Sequence, residues 1–475
     1  MNRNIFSVTT TIFIGIASVC LFSCNSKTVN TGMLVATEAP ANTCTREYVN
    51  GNSWRYIPGA RIVAFLPGKP ESKKVLTENF CSAAFPVISY DGKKMLFTAM
   101  QNQGDHWEIW EMDLGSLKSR KITSLKNNCI DPVYLPNGKI VFSKLTVNDT
   151  VRQAHCLYTC NPDGSGLRQI TFSPGSIYAT TVLRDGRLLT VCRQELSGNM
   201  EQFMMVLRPD GTKADLFYRG PQGSLLTGRA YETPDGQIVF AESVTGTGQP
   251  QNITSIRYNQ PLNARKNLTQ GIEGDFCSAI LNEGQYIVSY RNSDSERYSL
   301  VFFDLSEKSL GRKIFSDPEY DIIDVAEVKE HDLPRKLPSE VDMQVKTGLL
   351  LCQDINFTTL SEGSGVSGSL KAGRIEVMGV DTTYGVVKVQ KDGSFYLKVM
   401  ADVPFRIRTI DEKGNTVGGP CSWLWLRPNE RRGCVGCHED PELAPDNRVA
   451  LAVRKPPVII PVHISEVKEK IVELE

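Results

Sequence analysis

The sequence predicts an all-β chain, a six-bladed β-propeller followed by a small β-sandwich-like domain and a C-terminal loop. Three observations predict it. A hairpin pattern recurs at a fixed period through the first part of the chain, the recurrence stops at a proline-rich link, and further strand patterns follow that link.

The first element is an export signal. Residues 1–24 read MNRNIFSVTTTIFIGIASVCLFSC, with one early Arg and an apolar run from Ile5 to Phe22, which is short and begins close to Met1 as secretory signals do. An uncleaved membrane anchor is the alternative. Leu21, Ser23 and Cys24 resemble a bacterial lipobox, which implies lipidation at Cys24 and a lipid-anchored chain. Either reading places the remainder outside the cytoplasm, in the periplasm or on the outer membrane of a bacterium. Residues 25–43 are polar and read as a flexible tether. No later segment is long and apolar enough to cross a bilayer. Lys plus Arg and Asp plus Glu each number 53, a balance that leaves no electrostatic footprint for nucleic acid.

The propeller is expected over residues 44–337. FPVISYDGKKMLFTA, DPVYLPNGKIVFSKL, ATTVLRDGRLLTVC, AYETPDGQIVFAES and SAILNEGQYIVSYR each give a strand, an Asp-, Asn- or Glu-Gly turn and a second strand, the signature of a hairpin with a two-residue turn. The turn glycines Gly92, Gly138, Gly186, Gly236 and Gly284 lie 46, 48, 50 and 48 residues apart by subtraction. That period suits one four-stranded blade. EIWEMDL, CLYTCNPDGSGLRQITF, FMMVLRPDGTKADLFYRG and LVFFDLSEKSLGRKIF supply outer strands. A sixth blade is expected from ARIVAFLP near residue 63 joined to YDIIDVAEVKE near residue 325, which would close the ring and remove open edges. The blades resemble the propeller of the TolB type.

Residues 332–341, DLPRKLPSEV, read as a linker. Residues 342–424 read as the small β-sandwich, and residues 425–475 as a loop and tail ending in a short charged helix candidate, SEVKEKIVELE.

Within that loop Cys434, Cys437 and His438 form Cys-x-x-Cys-His. Outside the cytoplasm this spacing is the attachment signal for a c-type haem. Two thiols add to the two vinyl groups, and the adjoining His falls beneath the iron as its proximal ligand. A redox-active cysteine pair and half of a zinc site are the competing readings. Neither has its usual context, because no thioredoxin-like βαβ unit and no second ligand pair accompany the motif. One motif means one covalent haem c.

SWLWLRPNERRGCVGCHEDPELAPDNRVALAVRKPP, residues 422–457, together with CIDPVYLPNGKIVFS in the second blade, resembles the α subunit of hydrazine synthase and its relatives. The resemblance extends over most of the chain after the tether. It implies thioether attachment at Cys434 and Cys437 and axial ligation by His438. An α subunit of that family carries two c-type haems, whereas this chain holds a single motif, so the second haem site has no counterpart here.

Other candidates surround the motif. His463 is the only histidine after it and the candidate distal ligand, with an exposed residue as the alternative. His106 and His155, in the blades, reach the iron only if the loop folds back. Arg431 and Arg432 suit haem propionates, since guanidinium forks match carboxylates; a solvated turn is the alternative. Trp425, with Trp423, would wall the haem or pack a core. Cys81, Cys129 and Cys277 precede inner strands near one channel mouth, which raises a metal site or merely buried thiols. If Cys20, Cys24, Cys434 and Cys437 are set aside, nine of 13 cysteines remain, and nine cannot all pair.

Three function classes follow. The preferred one is a tethered mono-haem protein exchanging electrons with an unknown redox partner, or a haem-dependent accessory protein. The alternatives are a haem oxidoreductase acting on a small nitrogen compound at an open iron, and a binding or scaffold propeller without haem. A hydrolase of the prolyl oligopeptidase kind, which also pairs a propeller with a second domain, is excluded, since no Gly-x-Ser-x-Gly elbow is present and the region after the propeller is too small for an α/β hydrolase.

Overall fold

The structure is a computed structural model; it describes residues 28–41, 43, 55–148, 151, 153–196, 199–244, 251–357, 371–436, 447–460 and 473–474. Six antiparallel sheets form the propeller. Blade 1 runs Ser82–Ile88, Lys94–Met100, Glu108–Asp113 and Ser119–Lys121, and blade 2 runs Cys129–Tyr134, Ile140–Thr146, Ala154–Cys160 and Arg168–Gln169. Blade 3 begins at Ser176–Val182, blade 4 at Ser224–Leu226 with Tyr231–Glu232, and blade 5 at Asp275–Asn282.

Blade 6 closes the ring, by a route the sequence reading did not contain. Tyr320–Glu327 is its inner strand, and Arg61–Leu66 and Lys69–Val75 are its outer ones. Between them lies Leu34–Pro40, antiparallel to both neighbours. These residues were expected within a flexible tether. Six of the seven are buried, because Leu34 and Ala36 fill one inter-blade cluster and Val35 another. Closure therefore mixes one C-terminal strand with three N-terminal ones, so neither end of the ring presents an unpaired inner edge.

The recurring turns also differ from expectation in four of five blades. In blade 2 the Gly138 N–H donates to Leu135 O at 3.0 Å, and the Leu135 N–H to Lys139 O at 2.8 Å. That is a three-residue loop, a turn followed by a left-handed residue. Asn137 fixes it by accepting the Lys139 N–H at 3.1 Å. Blade 5 alone has the two-residue form, with Glu283 at φ 47° and Gly284 at φ 84°. The glycine is required in both forms, so the period was legible although the turn type was not.

Beyond the linker, two sheets enclose one apolar core that includes Leu350, Ile375, Leu397 and Ile407. The first sheet has the order Arg431–Gly436, Thr347–Asp354, Phe395–Met400, Val458–Ile459. The second contains Thr416–Gly418, Arg406–Ile410, Arg374–Met378, Thr383–Lys388 and Glu473–Leu474. The sandwich thus draws strands from the segment read as loop and tail. Arg431–Gly436 and Val458–Ile459 both join in parallel, and Glu473–Leu474, expected in a helix, is extended beside Val386–Val387.

Candidate functional site

The segment that leads to the cysteine motif begins at a tight turn. Arg427, Pro428, Asn429 and Glu430 close with the Glu430 N–H on Arg427 O at 2.9 Å, and Asn429 takes φ 68°. Proline second and a left-handed Asn third are the residues of a type II turn. This turn is pressed onto blade 3. Trp425 is fully buried in a propeller cluster with Leu188, Phe203 and Leu207, and its indole N–H donates to Gly211 O at 3.3 Å.

The buried charges of the turn are answered by both domains. Arg427 donates to Asp402 at 2.6 Å from the sandwich and to Asp210 O at 3.1 Å from blade 3. Glu430, also buried, accepts the Arg427 N–H at 2.8 Å, the Lys213 N–H at 2.8 Å and the Arg432 guanidinium at 2.8 Å. A buried carboxylate with three donors is satisfied, and removal of its chain partners would leave it costly.

From this anchor Arg431–Gly436 runs as the edge strand of the first sandwich sheet. Cys434 stands opposite Cys352 in the parallel register and packs, half-buried, against the sandwich core. A Cβ placed on Gly433 would meet nothing within 4 Å, so space lies open beside the strand. Gly436 ends the strand opposite Asp354. The chain returns at Arg448, whose guanidinium lies 3.4 Å from the same Asp354 and 3.3 Å from Asp392. Leu451 N–H then bonds Asp392 at 2.8 Å. Both ends of the interval carrying Cys437 and His438 are therefore pinned at one corner of the sandwich.

The sequence-derived candidates are distributed as follows. Cys434, Arg431 and Arg432 share one strand. Arg432 is already held by Glu430, whereas the Arg431 side chain is exposed and its carbonyl accepts Lys213. Trp425 is a domain anchor in blade 3, and Trp423 lies under the Arg406 guanidinium at 4.8 Å. His155 is buried in blade 2 against the Tyr56 hydroxyl; burial pushes it down to about 4, partly opposed by Asp131. His106 is exposed on a blade loop. Cys129 is buried and Cys81 reaches Gln103, while Cys277 contacts Ser289; among the described residues no group of three or more His, Cys, Asp or Glu side chains forms a metal site. Burial pushes the thiols of Cys156 and Cys160 up to about 11 and Cys192 up to about 12, so these three stay protonated. Cys24, Cys437, His438 and His463 lie outside the described residues.

Sequence reasoning missed Arg427, Glu430, Arg448 and Asp354. One signal was available for the first two, since Pro-Asn between charged residues specifies a left-handed third position.

Comparison with known proteins places the chain. Residues 353–439 match the family described as the hydrazine synthase alpha subunit middle domain, an interval that contains Asp354, Cys434, Cys437 and His438. The hydrazine synthase subunit alpha of Kuenenia stuttgartiensis is 24% identical over 518 aligned residues, covering 81% of this chain and 63% of that protein. The chain thus spans less than two thirds of the length of that relative. The solved structure of Kuenenia stuttgartiensis hydrazine synthase superposes with a TM-score of 0.74 over 90% of this chain and 72% of its own, at 21% identity. TolB from Acinetobacter baumannii is more distant, with a TM-score of 0.46, 14% identity and coverage of 61% of this chain and 65% of its own. The chain is a relative of the hydrazine synthase alpha subunit with a propeller fold.

Proposed function

We propose that this relative of the hydrazine synthase alpha subunit is an exported, lipid-anchored protein of the bacterial envelope that carries one covalent c-type haem and passes electrons to a redox partner. The single observation that carries the reading is Cys-x-x-Cys-His at residues 434–438 inside the matched middle domain. What is described of the attachment site fits such a group. Cys434 stands half-buried on an edge strand, and the ends of the interval that follows meet at Asp354. A c-type haem supplies one-electron chemistry at a potential set by its axial ligands and burial.

This chain's residues then have distinct tasks. Cys434 and Cys437 would hold the group through thioether bonds, and His438 and His463 would be the candidate ligands of its iron. The Arg427–Glu430 turn fixes the edge strand to the propeller, so Cys434 is held at a constant place relative to blade 3. Arg431 has its guanidinium in solvent beside the motif and is the better placed of the two arginines for a propionate, because Arg432 already serves Glu430. Cys24 supplies the anchor.

The test is a visible spectrum, oxidised and reduced, of the protein purified from its own host's envelope, before and after carbon monoxide. A low-spin reduced spectrum that carbon monoxide leaves unchanged supports electron transfer. A high-spin spectrum shifted by carbon monoxide replaces that role with catalysis at an open iron.

A further inference from the structure

The propeller encloses a cavity of about 430 Å³ on its axis. All six inner strands contribute to it, through residues such as Phe85, Val133, Val182, Tyr231, Ala279 and Ile323. Its mouth is bordered by Lys329, His331, Asp332 and Pro334 of the segment leaving blade 6. That segment is fixed across the face, with the His331 N–H on Tyr90 O and the Arg335 N–H on Arg184 O, each at 3.0 Å.

The floor is charged. Asp131 is fully buried on a left-handed inner-strand residue at φ 54°. One of its oxygens accepts the Ala179 N–H at 2.9 Å and lies 3.1 Å from the Arg55 guanidinium. The second cation faces the other oxygen. Arg229 reaches Asp131 only at 3.5 Å and Pro132 O at 3.3 Å, its Nε has no hydrogen-bond partner, and its side chain is 16% exposed. Asp324, on the inner strand of blade 6, lines the same cavity, and among the described residues its side chain takes part in no ion pair. Burial pushes its carboxyl up to about 6, against the pull of Arg229 and Arg55.

A half-buried guanidinium held only at the long end of hydrogen-bond range and a half-buried carboxyl that accepts only the Val325 N–H, both set in apolar walls, are complementary to a molecule bearing both charges. A simple anion would leave Asp324 unanswered. A simple cation would face two arginines. We infer that the axial cavity binds a small zwitterion with an apolar side chain, an α-amino acid, its carboxylate toward Arg229, its ammonium toward Asp324 and its side chain among Phe85, Val133 and Val182. This site is separate from the cysteine motif and does not depend on the haem reading.

The experiment is calorimetric titration of the full chain with L-phenylalanine, phenethylamine and 3-phenylpropanoate. The expected result is binding of L-phenylalanine at least tenfold tighter than either half-molecule. Asp324→Asn should weaken L-phenylalanine at least tenfold and leave 3-phenylpropanoate unchanged or tighter. Ala279→Phe, which adds bulk to the cavity wall and alters no charged residue, should remove binding of all three while circular dichroism and melting temperature stay as in the parent. Absence of L-phenylalanine binding at millimolar concentration overturns the inference. Equal binding of a half-molecule, or binding that survives both substitutions, overturns it as well.

Discussion

The propeller and the motif-bearing edge of the sandwich are both built from short strands, yet they are specified differently. Blades 1 to 5 are local, since their consecutive strands pair across short connections and each inner hairpin turns on a glycine, and only blade 6 pairs the two ends of the ring. The edge strand Arg431–Gly436 pairs in parallel with Thr347–Asp354, some eighty residues earlier, and is held by a turn that grips blade 3. Local pairing leaves a period in the sequence; parallel pairing over such a separation leaves none. The lesson is that the repeat specifies the scaffold, while a few buried long-range contacts specify where Cys434 stands on it.

Substitutions can break this contrast. Trp425→Ala removes the largest apolar group that crosses from the sandwich segment into the propeller, and the expected loss is about 4 kcal/mol. Denaturant unfolding should then show the sandwich melting before the propeller, whereas a single cooperative transition would show that the domains do not rely on this anchor.

A second test is acid. His155 titrates near 4 when folded but near 6.5 when unfolded, so the unfolded chain binds the proton first. Its contribution to stability is complete above the unfolded value, falls as pH drops from there, and levels off below about 4. The span corresponds to about 3 kcal/mol. His155→Gln should flatten the profile between pH 6.5 and 4 relative to the parent, as read by urea midpoints at each pH. Because His155 lies in a blade, cofactor loading at neutral pH should not change with it.

The turn glycines sharpen the comparison from the other side. Gly138 and Gly186 have similar positive φ, but a Cβ on Gly138 meets nothing within 4 Å while one on Gly186 would lie 2.0 Å from Arg335 O. Gly138→Ala should cost about 1 kcal/mol and Gly186→Ala about 2 kcal/mol or more, because the second also displaces the linker. Equal melting temperatures for the two variants would contradict the packing of the linker on blade 3. The smallest effect is expected at Arg431, whose replacement by Ala should alter stability by no more than about 0.5 kcal/mol. Its neighbour Arg432, bonded to the buried Glu430, should cost about 1–2 kcal/mol when replaced by Ala.

Much of the scaffold was legible because Asp-Gly and Asn-Gly recur between β-branched strands, and the sandwich strands Arg374–Met378 and Phe395–Met400 alternate apolar and polar residues plainly. Leu34–Pro40 was not legible. LVATEAP carries Thr37 and Glu38 toward the interior, where Glu38 takes charge from Arg61 at 2.7 Å and Lys73 at 2.8 Å, so a buried central strand looked like a polar tether. RRGCVG likewise shows two arginines and two glycines where an edge strand lies. The cysteine motif stands out in the sequence as three residues in fixed spacing, of which the structure describes Cys434. What surrounds it was not legible, because Glu430 and Arg448 act through partners more than fifty residues away.

The most direct measurement is the intact mass of the protein taken from its native envelope, compared with a Cys434→Ala, Cys437→Ala double variant. The account requires the parent to exceed its processed, lipidated polypeptide by the mass of one haem, and the double variant to lack that increment while still folding. A parent mass without it, from cells able to attach haem to other proteins, would contradict the account and leave a propeller whose cysteine motif serves another purpose.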